Sequence, residues 1–254
     1  MTITRSTALA AVPLAAARHF ADTAEMLLAA AQLILPHLET GRAVDAKALR
    51  CAMEAACRGS DAEGAWDWKT AYDACEAAQI LFLRRYGSTI FRKSGSAQSR
   101  LAMIGKIAAL MPTHTRRSET GQALQQFSTP AGLAYVAGVA AAFRSGERVL
   151  EPSAGTGLLA IQAEIAGARL MLNELAETRA ALLDLLFPGT GVTAYDAATI
   201  HDRLDPAIIP DVVVMTSLWL ASAIRTEASL SFIGDDVPPP APTWGGMLSG
   251  AGRS

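Results

Sequence analysis

The stretch Val149-Leu150-Glu151-Pro152-Ser153-Ala154-Gly155-Thr156-Gly157 decides how this chain is read. An apolar run ends on an acidic residue. The chain then turns on two glycines one residue apart and enters a helical pattern over 155–166. Glycine adopts positive φ and lets other groups approach the backbone closely, so the pattern predicts strand, tight turn, helix. Free N–H groups and the positive dipole end at such a helix start would suit a carboxylate or a phosphate. A Gly-x-Gly turn alone has low specificity. The dinucleotide fingerprint wants a third glycine where Ala160 stands, which weighs against a nucleotide-dependent oxidoreductase.

Working outward, short apolar runs alternate with helical ones. Strands are predicted at Arg148–Leu150, Arg169–Asn173, Val192–Tyr195 and Asp211–Met215, with a helix over Glu177–Phe187. Alternation of this kind implies right-handed crossovers and a parallel sheet. Glu174 follows the second strand and Asp196 the third. A carboxylate at the second position has two readings, an acceptor for ribose hydroxyls or a favourable charge at a helix start. Asp196 by itself reads as a helix N-cap.

Upstream, residues 18–112 carry apolar residues at helical spacing and form a predicted all-α subdomain. Four helices are expected there. The first is capped by Asp22 and stopped by Pro36, and the second starts at Asp45. The third is capped by Asp61 and ends near Gly87. The fourth starts at Ser99 and ends before Pro112. Residues 120–233 form the predicted α/β domain, and the Pro/Gly-rich residues 234–254 a disordered tail. The expected class is therefore α/β, an incomplete Rossmann-like sheet preceded by a helical subdomain.

The chain has 254 residues, of which 51% are hydrophobic and 18% charged, enough apolar material for a buried core. A net charge of −2 gives no global field for nucleic acid or anionic membranes. The three cysteines, Cys51, Cys57 and Cys75, lack the pairing of a disulfide framework and the spacing of a zinc site. No metal site is expected. No apolar run is long enough to span a bilayer. The Ala-rich start after Arg5 imitates a signal peptide only loosely, so a cytoplasmic location is expected. Arg84, Arg85, Arg92, Lys93, Arg100 and Lys106 form a local basic cluster, read either as a solvated helix end and loop or as a patch for DNA phosphates.

The form Glu151-x-x-x-Gly155-x-Gly157 resembles motif I of class I S-adenosylmethionine (SAM)-dependent methyltransferases. Gln126-Phe127-Ser128-Thr129-Pro130 resembles the segment that precedes motif I in N6-adenine DNA methylases. It also reads as a plain cap, with Ser128 or Thr129 at the N-cap and Pro130 at the first helical position. Together with Leu172-Asn173-Glu174-Leu175, these motifs resemble the methylase region of bacterial strawberry-notch-type helicase proteins, roughly over 20–215. The resemblance implies SAM as cofactor, held by Phe127, Thr129, Pro130, Glu151, Pro152, Ser153, Gly155, Thr156, Gly157, Glu174 and Asp196, and a methylated DNA base as product.

One element of that family is missing. Its fourth strand ends in Asn/Asp-Pro-Pro-Tyr/Phe, which holds the target amine and stacks on the flipped base. Here Val212-Val213-Val214-Met215 runs into Thr216-Ser217-Leu218-Trp219. The resemblance therefore implies impaired catalysis and a chain cut short after the fourth strand, as by a frameshift near Met215. The alternative is a non-catalytic DNA-binding or assembly module, with a partner chain covering the fourth-strand edge.

Overall fold

The computed structural model describes residues 14–112, 128–203 and 209–214. Four helices come first: α1 (Leu14–Glu39), α2 (Ala46–Cys57), α3 (Trp68–Lys93) and α4 (Ala97–Ala108). Then follow α5 (Ala131–Ala141), β1 (Arg148–Glu151), α6 (Ala160–Ile165), β2 (Arg169–Asn173), α7 (Glu177–Leu186), β3 (Gly191–Thr193) and β4 (Val212–Val213). The strands form one parallel sheet in the order β3-β2-β1-β4. The α/β class, with a helical region ahead of the sheet, stands as expected.

Several helix boundaries differ from the sequence reading, each for a local reason. Asp22 lies inside α1, and Pro36 does not stop that helix, which runs to Glu39. The Pro36 carbonyl still accepts from the backbone and hydroxyl of Thr40, so the last turn is closed around the proline. Asp67, not Asp61, caps α3, in a reciprocal box with Thr70. Asp61 instead accepts from the Trp68 indole at 3.1 Å. Helix α3 also runs through Gly87, because a Cβ there would stand 2.5 Å from the Ile165 side chain. The glycine marks a close helix–helix approach rather than an end. Ser96, not Ser99, caps α4.

In the α/β half β2 matches its expected span and β1 runs one residue further, to Glu151, while β3, spanning Gly191–Thr193, and β4, Val212–Val213, are shorter than expected. The helix expected from Gly155 starts only at Ala160, since turns occupy the residues between. The core is continuous across the two halves. Leu27, Ile34, Ile80 and Leu83 of the first four helices belong to one buried cluster with Ile161, Leu172, Leu182 and Phe187. Helices α1 and α3 pack directly on α6 and α7, so the helical layer forms one face of the sheet unit.

Candidate functional site

All four strands run the same way, so their carboxyl ends share one edge. The chain moves from β1 outward to β2 and β3, then crosses back to place β4 on the other side of β1. The order thus reverses between β1 and β4. In open α/β sheets a ligand crevice opens outside the carboxyl ends at such a reversal. Glu151 stands there as the last residue of β1.

The turn after β1 is tightly bound to its neighbours. Gly155 has φ +59° and Gly157 φ +101°, conformations that other residues rarely adopt. A Cβ on Gly157 would meet the Phe187 ring at 2.5 Å, so the turn lies directly on α7's end. Glu174 is buried, and its two carboxylate oxygens accept from the Gly155 N–H at 2.8 Å and the Ala176 N–H at 2.9 Å. Glu174 therefore braces the glycine turn.

Asn173 lies beside it, fully buried and fully bonded. Its amide donates to the carbonyls of Pro152 and Tyr195, both at 2.8 Å. Its oxygen accepts from the Thr193 hydroxyl and the Tyr195 N–H. One side chain thus ties the loops after β1 and β3 to β2. The sequence reading passed over Asn173 in favour of its neighbour.

Glu151 has the opposite environment. It is 6% exposed, and among the described residues its Oε2 has no hydrogen-bond partner. Burial pushes its carboxyl well above the usual range, and the nearby Glu174 charge pushes the same way. Among the other expected site residues, Pro152 is buried, Ser153 exposed and Thr156 buried. Asp196 is exposed and caps the short helix 197–202, accepting from the Ala198 N–H at 2.9 Å.

The segment before the sheet differs from its capping expectation. Pro130, not Ser128 or Thr129, occupies the N-cap of α5, with no side-chain cap bond. Ser128 turns toward Arg179 at 3.4 Å. Gln126 and Phe127 lie outside the described residues, as do Met215 onward, Trp219 and the tail.

Sequence reasoning missed a buried charged cluster under the turn. Arg179 of α7 donates to both oxygens of Asp73 on α3, at 2.7 and 3.2 Å, with both side chains under a tenth exposed. Glu76, one turn along α3, accepts from the Thr156 hydroxyl at 2.6 Å. A signal for it exists. Asp73 and Glu76 stand at three- and four-residue spacing from Ile80, Leu83 and Gly87, on the stripe that α3 buries.

The basic cluster is divided by the fold. Arg84 makes a bidentate pair with Glu164, at 2.7 and 2.9 Å, and stacks on Phe187. Arg85 pairs with Glu39, and Arg100 stacks on Phe91. Arg92, Lys93 and Lys106 are exposed. Among the described residues no group of His, Cys, Asp and Glu has the arrangement of a metal site. Nor is any helix among them long and apolar enough to cross a membrane.

The chain thus defines an α/β protein with a parallel sheet and acidic residues at its strand ends. Comparison with known proteins points elsewhere than its motifs. No family model and no solved structure matches the chain. It is 50% identical over 44 residues to a probable peptide ABC transporter permease protein of Sinorhizobium fredii, covering 17% of this chain and 15% of that protein. It is 52% identical over 46 residues to a putative peptide permease protein of Brucella ovis, covering 18% of this chain and 15% of that protein. The same figures hold for a putative peptide permease protein of Brucella suis. The chain thus spans about 15% of the length of the curated relatives it matches. These similarities overturn the methylase reading. The relatives are named as peptide permeases, and the expected DNA methylation, methyltransferase activity and strawberry-notch kinship fall with it. A strand–Gly-x-Gly–helix turn with acidic strand ends is a geometry many binding folds share, which is why the motifs misdirected the reading.

Proposed function

We propose that this chain binds a small ligand, rich in hydrogen-bond donors and positive charge, at the carboxyl ends of β1 and β2. The observation that carries the reading is the buried Oε2 of Glu151, without a hydrogen-bond partner among the described residues, at the point where the strand order reverses. A buried polar atom without a partner costs about 1–3 kcal/mol, a cost that a donor from a ligand would relieve. Glu174 and Asp196 stand after the adjacent strands and add acceptors. Each Glu174 oxygen takes one backbone N–H and keeps a second lone pair for a hydroxyl. Arg179, the one buried cation among the described residues, is held by Asp73. This charge balance opposes phosphates and favours ammonium, sulfonium and ribose hydroxyls.

SAM carries those three groups, so the residues present fit it. Glu151, Gly155, Gly157 and Glu174 would hold it, with Asp196 at the rim. No transfer reaction is part of this reading, and a cytoplasmic location is proposed with it. Calorimetric titration of the full chain with SAM tests it. Saturable heat that weakens at least tenfold in Glu174→Ala, with none for ATP, is the expected result. A folded chain that gives no heat with SAM overturns it.

A second reading rests on the permease similarity. A stretch of 44–46 residues at 50–52% identity favours association with a peptide-transport assembly. Cosedimentation of the chain with membranes carrying such a permease supports it. Recovery wholly in the supernatant, with or without the permease, refutes it.

A further inference from the structure

The helical layer reaches into the glycine turn at one point. Glu76 comes from the middle of α3, and Thr156 lies between the two glycines, 80 residues later. Their bond is 2.6 Å long, and the two residues are 3% and 1% exposed. A hydroxyl–carboxyl bond of that length between two buried side chains lies at the short end of the O–H···O range. The next residue, Gly157, lies so close to Phe187 and Leu183 that a Cβ there would stand 2.5 Å from the Phe187 ring, so the turn packs tightly against α7's end. We propose that Glu76 is a positioning residue for the glycine turn, a latch by which α3 holds Thr156 and whose hold depends on the proton that Glu76 carries.

The groups around Glu76 set the sign. From its own helix, Asp73 and Cys75 face it. From α7 comes Arg179, which is also drawn to Asp73 and Glu174, and the turn contributes Thr156. Burial first, then the Asp73 charge, push the Glu76 carboxyl up from 4.5 to about 7, against Arg179, Thr156 and Ser128. Asp73 already takes both forks of the guanidinium, so Glu76 receives only a share of the positive charge. Opening the turn rehydrates Glu76 and returns it to the ordinary carboxylate range, releasing a proton. Opening is therefore least favourable in acid. It becomes easier as pH rises toward 7 and levels off above, where Glu76 is ionised in both states.

Hydrogen exchange at the amides of Gly155, Thr156 and Gly157 in the free full chain tests this. After correction for intrinsic exchange, the opening constant is expected to rise about tenfold per pH unit between 5 and 7 and then level off. Glu76→Gln keeps an acceptor for Thr156 but has no proton to lose, and is expected to flatten the profile. Thr156→Val is expected to raise exchange at these amides at every pH without changing those of α2, and Thr156→Ser to restore protection. A flat wild-type profile overturns the latch, as does a rise that persists in Glu76→Gln. The readout involves no ligand. Failure of the latch therefore leaves the binding reading intact, and failure to bind SAM leaves the latch intact.

Discussion

Two buried carboxylate environments lie on either side of the glycine turn. On the α3 side, Asp73 and Glu76 are met by Arg179 and Thr156, all within hydrogen-bond reach. On the β1 side, Glu151 is equally buried and its Oε2 has no partner among the described residues. Charge leaves water at a cost of several kcal/mol per ion unless geometry and hydrogen bonds offset it. The first environment offsets that cost from within the chain and is a structural joint. The second meets the cost by keeping its proton and leaves one oxygen unpartnered among the described residues, and that contrast is what the proposed ligand site rests on.

The largest effect should come from breaking the joint. Arg179→Met leaves Asp73 and Glu76 buried without their cation and is expected to lower stability by about 3–5 kcal/mol. Pairing it with Asp73→Leu should recover part of that loss, because of the two carboxyls only Glu76 then stays buried without the cation, and burial favours its protonated, neutral form. Urea unfolding of both variants checks this. A loss under 1 kcal/mol for Arg179→Met would show that the joint is well hydrated in solution, and the comparison would break.

A smaller effect is expected on the other side. Glu151→Gln should shift stability by within about 1 kcal/mol at pH 5, because a protonated carboxyl and an amide are both neutral there. The sign then depends on pH. A carboxyl whose folded pKa is raised stabilises the fold fully only below its ordinary range and loses that contribution as pH rises. Wild type should therefore fall in stability from pH 5 to 8 more steeply than the Gln variant. Parallel profiles would mean that Glu151 reaches solvent.

Local chemistry made part of this fold legible. Asp45 capping α2, the strand Arg169–Asn173 and the helix starting at Glu177 were readable because propensity, capping and apolar spacing agree there. Gly87 and Pro36 misled because their usual role as breakers was overridden, by the approach of Ile165 in one case and by Thr40 in the other. Asp61 misled because two acidic residues stood near one helix start and only Asp67 had Thr70 three residues on. At the site, Glu151, the glycines and Glu174 were legible as a strand-end motif. Asn173 and Glu76 were not, because their partners lie 20–22 and 80 residues away in sequence. The functional label attached to the motif was the least secure part, since the same turn serves many chemistries.

By itself the sequence determined the α/β class, the parallel alternation and the acidic strand ends, all of which follow from short-range periodicity and residue type. Tertiary structure alone decided which carboxylates are satisfied. Whether Glu174 braces a turn, Glu76 holds a threonine or one oxygen of Glu151 lacks a partner among the described residues depends on groups that only folding brings within about 3 Å, the reach of a hydrogen bond.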